Sequence, residues 1–338
     1  MNDQHKRPEL AELHFHLGQS LRPHILWSMA FEQGIKLPTK DYWDFYELVT
    51  LENKKGAVTW EDYHKLFHWS ELIQSSPVAM ERTVYEVVTG AYRQNNITLS
   101  EPSFNPMFRN RGGERDLDQI ILAALRGMER ALVEFPEVRA GLILLLDRRL
   151  PPEKNAIIVK KAIKYHSRGV VGIDIAGPTT DAFRYEDYTK LYEEARASGV
   201  KTTVHTGEEG SVEEMEHVLN VLPLDRVNHG FRAYESKKVM EMLVKKNLTL
   251  CLCPTSNMSL GFIKDGAHLK EVIRTLYDNG VKFCLNTDNP SMLRTDLAKE
   301  LGLMREFEIL SEKEIAQVVQ WAFDAAFTPT KAGKNLYL

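Results

Sequence analysis

The sequence has 338 residues, with 43 Lys+Arg against 47 Asp+Glu and a formal net charge of −4. Its 43% hydrophobic fraction excludes intrinsic disorder, and the slight acidity argues against a nucleic-acid binder held by bulk positive charge. The strongest apolar run, Ala140–Leu146, is far shorter than the ~20 residues that cross a membrane.

No apolar stretch follows Met1-Asn2-Asp3-Gln4 to serve as a signal peptide. Three cysteines, Cys251, Cys253 and Cys284, cannot form a disulfide framework. A cytoplasmic protein with neither membrane nor nucleic-acid partner is expected. Its oligomeric state is not legible.

Short apolar or β-branched runs recur along the chain. Strands are expected at Glu12–His16, Ile97–Glu101, Ala140–Leu146, Val170–Ile175, Lys201–His205, Arg226–His229, Thr249–Cys253 and Lys282–Asn286. Between most of them lie segments of helical period, and Gly199, Asn247 and Gly280 stand where helices should stop. This α/β alternation predicts parallel strands with right-handed crossovers. Eight such strands close into a (β/α)8 TIM-type barrel, and no G-x-G-x-x-G supports the open doubly wound alternative. The connection from His16 to Ile97 is too long for one crossover. It carries helical pieces at Arg22–Gln33, Trp60–Trp69 and Val78–Gln94, read as an insertion after strand 1 that covers about residues 20–95. In a barrel, that loop lies on the catalytic face, so the insertion should partly roof the site. Residues 1–338 then form a single domain, because the motifs described next leave no place to divide the chain.

His14-Phe15-His16 places two imidazoles on one side of a strand, which is half of a metal site. Three further features end predicted strands: His205-Thr206-Gly207-Glu208, Asn228-His229-Gly230 and Asn286-Thr287-Asp288-Asn289-Pro290. One strand-end His or Asp is ordinarily a cap or turn residue. Four such features at the carboxyl ends of strands one, five, six and eight match where barrel enzymes keep catalytic groups. Together they supply ligand histidines, a carboxylate ligand, a free acid and a spare histidine, the makings of a metal-assisted hydrolytic site.

With these motifs the sequence resembles the adenosine deaminase family of zinc barrels. The likeness extends through Glu12-Leu13-His14-Phe15-His16-Leu17, Ser20-Leu21-Arg22-Pro23, Gly169–Gly177 and Cys253-Pro254-Thr255-Ser256-Asn257. It implies one zinc ion per chain, held by His14, His16, His205 and Asp288. It implies that Glu208 exchanges a proton with purine N1, that His229 orients the attacking water, and that the Gly177 N–H contacts N3. The implied reaction is hydrolytic deamination of a 6-aminopurine nucleoside, adenosine or a 5′-modified adenosine, to the 6-oxo product and ammonia. Free adenine, an adenine nucleotide, an N6-substituted purine or 6-aminodeoxyfutalosine are alternative substrates. A non-catalytic purine-binding protein is an alternative of another class, but it would tolerate loss of Glu208 or a ligand, and all are present. A binuclear hydrolase would need a bridging Lys on the fourth strand, and Val170–Gly177 has none.

The periphery departs from the family pattern. Gly18-Gln19 replaces an acidic or Asn residue and Gly, so the contact from position 18 to the sugar 5′-hydroxyl is lost. Asn289 replaces an Asp whose protonated form donates to N7, and an amide donates at any pH. Ser103 stands where the family has Arg, and Pro178-Thr179-Thr180 replaces acidic residues. Arg109-Asn110-Arg111-Gly112-Gly113-Glu114-Arg115 reads as a solvated loop, with a phosphate or carboxylate clamp as the functional option. His64 and His68 lie four apart on a predicted helix; aromatic packing within the lid is expected there rather than a second metal site. Cys251 and Cys253 are expected in the core.

Overall fold

The computed structural model describes residues 7–51, 58–111, 113 and 116–329. The expected amino-terminal segment 1–6 lies outside these residues, as do Gly112, Glu114 and Arg115 of the basic cluster.

Eight parallel strands form the barrel: β1 (Leu10–His16), β2 (Ile97–Phe104), β3 (Leu142–Asp147), β4 (Val170–Ala176), β5 (Lys201–Thr206), β6 (Val227–His229), β7 (Leu250–Leu252) and β8 (Phe283–Leu285). Neighbours in sequence pair in order from β1 to β8, and a two-residue strand, Arg139–Ala140, pairs with β2 ahead of β3. β3 and β4 are buried along almost their whole length, which is why they read as continuous apolar runs. β6 to β8 are shorter than expected: Arg226, Thr249, Cys253, Lys282 and Asn286 fall just outside them. β8 returns to β1 through a parallel bridge between Phe15 and Asp288. There the His16 N–H donates to the Asp288 carbonyl at 2.7 Å, and the Asp288 N–H donates to the His14 carbonyl at 3.1 Å. The ring is thus nearly closed.

Helices surround this ring. The three residues predicted to end them, Gly199, Asn247 and Gly280, all have positive φ, the conformation of a helix stop. Inside the barrel, away from its catalytic mouth, Ala11 and Leu13 pack with Leu99, Cys251 and Cys284. Arg226 is fully buried there, donating to Glu101 Oε2 at 2.7 Å and to the Leu13 carbonyl at 3.0 Å, with Phe327 beneath its guanidinium.

The insertion after β1 comprises α1 (Pro23–Glu32), α2 (Tyr42–Val49), α3 (Trp60–Lys65), α4 (Phe67–Ile73) and α5 (Pro77–Asn95). Proline starts α1 and α5, where its missing N–H costs nothing. Two details differ from expectation. α2 was not foreseen in an aromatic-rich segment; Asp41 nucleates it by accepting the N–H groups of Trp43 and Asp44. The helix expected over Trp60–Trp69 is two helices meeting at Leu66, and the break seats Tyr63 and Leu66 against Leu260, Met292 and Leu293. No helix among the described residues is long and apolar enough to cross a membrane.

Candidate active site

β1 carries a bulge between Glu12 and Phe15, where its register on β2 shifts. The extra residue changes the phase of the strand. Leu13 packs in the interior cluster, yet His14 and His16 converge with His205 over that same interior. Their Nε2 atoms draw together: His14 to His205 at 3.1 Å and His205 to His16 at 3.2 Å. Asp288 Oδ1 lies 3.2 Å from His16 Nε2 and 3.9 Å from His14 Nε2.

The outer nitrogens decide which face each ring presents. His14 Nδ1 lies 3.4 Å from the Cys251 carbonyl, which can only accept. His205 Nδ1 lies 2.9 Å from the Asp174 carboxylate. His16 Nδ1 lies 3.1 Å from Ser103 Oγ, whose own hydrogen is given to the Phe15 carbonyl at 3.2 Å. In His14 and His16 these contacts make Nδ1 the donor, and in all three rings Nε2 is the atom that faces the centre. Three imidazole Nε2 atoms and a carboxylate directed at one point are a donor set suited to zinc. Burial, then the neighbouring His229 and His205, hold the His14 pKa well below its ordinary value, which keeps its Nε2 lone pair available. For Asp288, burial favours the neutral acid, but His16 and the surrounding imidazoles outweigh it and hold the group ionised. Ser256 Oγ donates to Asp288 Oδ2 at 2.6 Å, and the Tyr63 hydroxyl donates to the same oxygen at 3.3 Å.

Glu208 stands beside this centre at the turn after β5. Its carboxyl is nearly enclosed, and burial followed by the charge of Asp288 raises its pKa well above the ordinary value. Its Oε2 lies 3.4 Å from His229 Nε2. Burial lowers the His229 pKa to about 3, and its Nδ1 faces Asn257 Oδ1 at 3.3 Å. A neutral acid therefore adjoins a neutral imidazole. His229 and Asp288 also have φ of 58° and 61°; such backbone is held in place by its surroundings and clusters at functional sites.

A cavity of about 310 Å³ joins these groups to the lid and the periphery. Gly177 lines it with φ of 85°, and a Cβ built there would lie 2.5 Å from Asp147 Oδ2. Arg148 locks that turn by donating to the Gly177 carbonyl at 2.6 Å. Asn289 also lines the cavity, but its Nδ2 donates to the Tyr63 hydroxyl at 2.6 Å. An amide nitrogen has two hydrogens, so one of the two expected to serve N7 is committed to the lid. Tyr63, His64, Phe67, His68 and Glu71 of α3 and α4 form the roof. His64 stacks on Phe67 and His68 packs edge-on to Trp69, as expected of aromatic lid packing. Cys251 and Cys253 are buried as expected. The solvated-loop reading of the basic cluster is overturned for Arg109. It is 2% exposed and lines the cavity, because the Met107–Arg109 turn folds its side chain inward over Gly18.

The adenosine deaminase family model matches residues 9–337. The chain belongs to the adenosine deaminase family. It is a hydrolytic deaminase, and it is 28% identical to the adenosine deaminase of Clostridium kluyveri over 326 residues, 96% of this chain and 91% of that one. Among solved structures, adenine deaminase of Arthrobacter aurescens superposes with a TM-score of 0.84 at 20% identity, covering 96% of this chain and 95% of the other. The arabidopsis N6-mAMP deaminase superposes with a TM-score of 0.80 at 24% identity, covering 95% and 94%. At these identities the structural matches speak for the barrel fold. Within this family member, Asp174, Ser103, Ser256, Asn257 and Tyr63 surround the expected site residues without having been assigned a role from sequence. Asp174, Ser256 and Asn257 sit inside motifs that carried the resemblance; Tyr63 had no such signal.

Proposed function

We propose that the protein is a zinc-dependent enzyme that hydrolyses the 6-amino group of adenosine or a 5′-modified adenosine, giving the 6-oxo purine and ammonia. Purine deamination is the activity common to the relatives named above. The observation that carries the reading is the buried Glu208 carboxyl beside three converging imidazole Nε2 atoms in one cavity.

His14, His16, His205 and Asp288 would hold one zinc ion per chain. A bound zinc acts as a Lewis acid and lowers the pKa of water from 15.7 to about 7. Glu208 arrives protonated and gives its proton to N1, so that the ring accepts electrons while a nucleophile adds to C6. His229, neutral and fixed by Asn257, accepts a hydrogen bond from the attacking water and orients it. Gly177 offers its backbone N–H to N3, and Asn289 its remaining amide hydrogen to N7. The lid excludes bulk water from this exchange. The buried, unpaired thiols agree with a cytoplasmic protein.

Ammonia release from the zinc-loaded protein tests this reading against adenosine, 5′-deoxyadenosine, adenine, AMP, N6-methyl compounds, guanine and cytidine. Release is expected from 6-aminopurines and not from cytidine. Failure to release ammonia from any 6-aminopurine would overturn it.

A further inference from the structure

Among the described residues that line the cavity, buried side-chain atoms without a hydrogen-bond partner occur on Arg148 (Nε), His205 (Nδ1), Asn289 (Oδ1), Asn105 (Nδ2) and Arg109 (Nε and Nη1). Three of them, Nε and Nη1 of Arg109 and Nδ2 of Asn105, are donors that stand together on the segment after β2. Both side chains are more than nine-tenths buried. Asn105 spends its oxygen on the N–H groups of Met107 and Phe108, at 2.8 and 3.3 Å, which leaves Nδ2 as an unspent donor on a residue that lines the cavity. Among the described residues Arg109 has one ionic partner, Glu71 Oε1, at a long 3.4 Å from Nη2. A buried guanidinium with so little compensation is costly unless an anion completes it. Arg149 lines the same cavity, but its fork is taken by both oxygens of Asp147 at 2.8 Å.

Gly18 makes the arrangement possible. A Cβ at that position would lie 2.5 Å from Arg109 Nη2, so any side chain there would displace the guanidinium. Gly18 stands two residues beyond His16, which puts Arg109 on the wall that continues from the metal ligands. What was lost as a contact to a sugar hydroxyl has become space for a cation.

We propose that Arg109 and Asn105 form an anion subsite for a phosphate monoester on the ribose, making a 6-aminopurine 5′-nucleotide a better substrate than its nucleoside. This rests on the deaminase reading above. The planar guanidinium fork suits phosphate oxygens, and three donors without partners match three acceptor oxygens. A carboxylate offers the fork similar geometry with one oxygen fewer.

The test compares kcat/KM of the zinc-loaded protein for AMP, adenosine and adenosine-5′-carboxylate, and the calorimetric affinities of IMP and inosine. AMP is expected to exceed adenosine, and IMP to bind tighter than inosine, by about tenfold or more, the value of charge-assisted hydrogen bonds. Arg109→Gln should lose at least about tenfold more on AMP than on adenosine, with Arg109→Lys recovering part of the difference. Glu71→Gln, a change at a partly exposed side chain, should raise the AMP preference by removing the competing carboxylate. Adenosine turnover with no preference for AMP would overturn the subsite and leave the deaminase reading intact. A tenfold preference for the carboxylate over AMP would overturn the phosphate assignment. If no 6-aminopurine is turned over while IMP still binds tighter than inosine, the subsite stands and the deaminase reading falls. If Arg109→Gln fails to fold, an unchanged AMP preference in Glu71→Gln overturns the proposal.

Discussion

His16 and Asp288 meet twice: their backbones join at 2.7 Å where β8 closes onto β1, and their side chains approach at 3.2 Å in the candidate metal centre. The seam of the barrel and the metal site are thus one piece of structure. The φ of 61° at Asp288 is tolerated by Asn but strained for Ala. Asp288→Asn should therefore keep the fold, lose metal on dialysis and lose more than about 10³-fold in kcat, because the anionic donor is gone. Elemental analysis with circular dichroism checks this, and retention of full zinc would count against Asp288 as a ligand.

Glu208 owes its raised pKa first to burial and then to Asp288. The neutral acid is the working form, so kcat/KM should fall as pH rises through that raised value. On the acid side it should fall again as His16 takes up a proton, since its pKa, lowered by burial, is on balance held above the ordinary value by Asp288. Glu208→Gln removes the transferable proton while keeping the shape. It should cost about 10²–10⁴ in kcat with a smaller change in KM, and the alkaline limb of the pH profile should vanish. Steady-state kinetics across pH would reveal a variant with normal turnover, which the assigned role does not allow.

Tyr63 ties the lid to the barrel, since its hydroxyl receives the Asn289 amide at 2.6 Å and donates to Asp288. Tyr63→Phe keeps the ring in its apolar cluster but leaves Asn289 and Asp288 each one partner short. A lost hydrogen bond to a charged group costs about 1.5–3 kcal/mol. Weaker lid closure should appear mainly as a rise in KM of about tenfold, with proteolysis of the 58–76 region accelerated. Unchanged KM and unchanged proteolysis would disconnect the lid from Asp288.

Much of the architecture was legible because each motif lay where a strand ends. Val170–Ile175 and Lys201–His205 were bounded to within a residue, since period and composition both mark a buried parallel strand. His14, His16, His205, Glu208, His229 and Asp288 converge as their positions implied. The bulge in β1 was not legible: strict alternation brings His14 and His16 to one face but sends Leu13 to the other, and only pairing against β2 reveals the change of phase. Arg109 was misread for a related reason. A run of Arg and Gly has the composition of a solvated loop, and nothing local tells that Gly18, distant in sequence, leaves room for its guanidinium. Tyr63 depends likewise on where a helix break places it.

Glu300 offers a test of stability apart from the chemistry. It is fully buried, accepting the Thr255 N–H at 3.1 Å and the Thr295 hydroxyl. Burial raises its pKa from 4.5 to about 7 against the opposing help of these donors. The folded protein thus binds a proton that the unfolded chain has released between these two values. By linkage, stability falls as pH rises across that window and is level above it. At one pKa unit per 1.36 kcal/mol, the loss reaches about 3 kcal/mol. Glu300→Gln is neutral at every pH, and Thr295 can turn its hydroxyl to accept from the new amide. The variant should therefore show a flatter stability profile from pH 4.5 to 7 and exceed the wild type at pH 8. Denaturant midpoints at several pH values measure this directly, and parallel profiles for the two proteins would show that Glu300 is not the group that titrates.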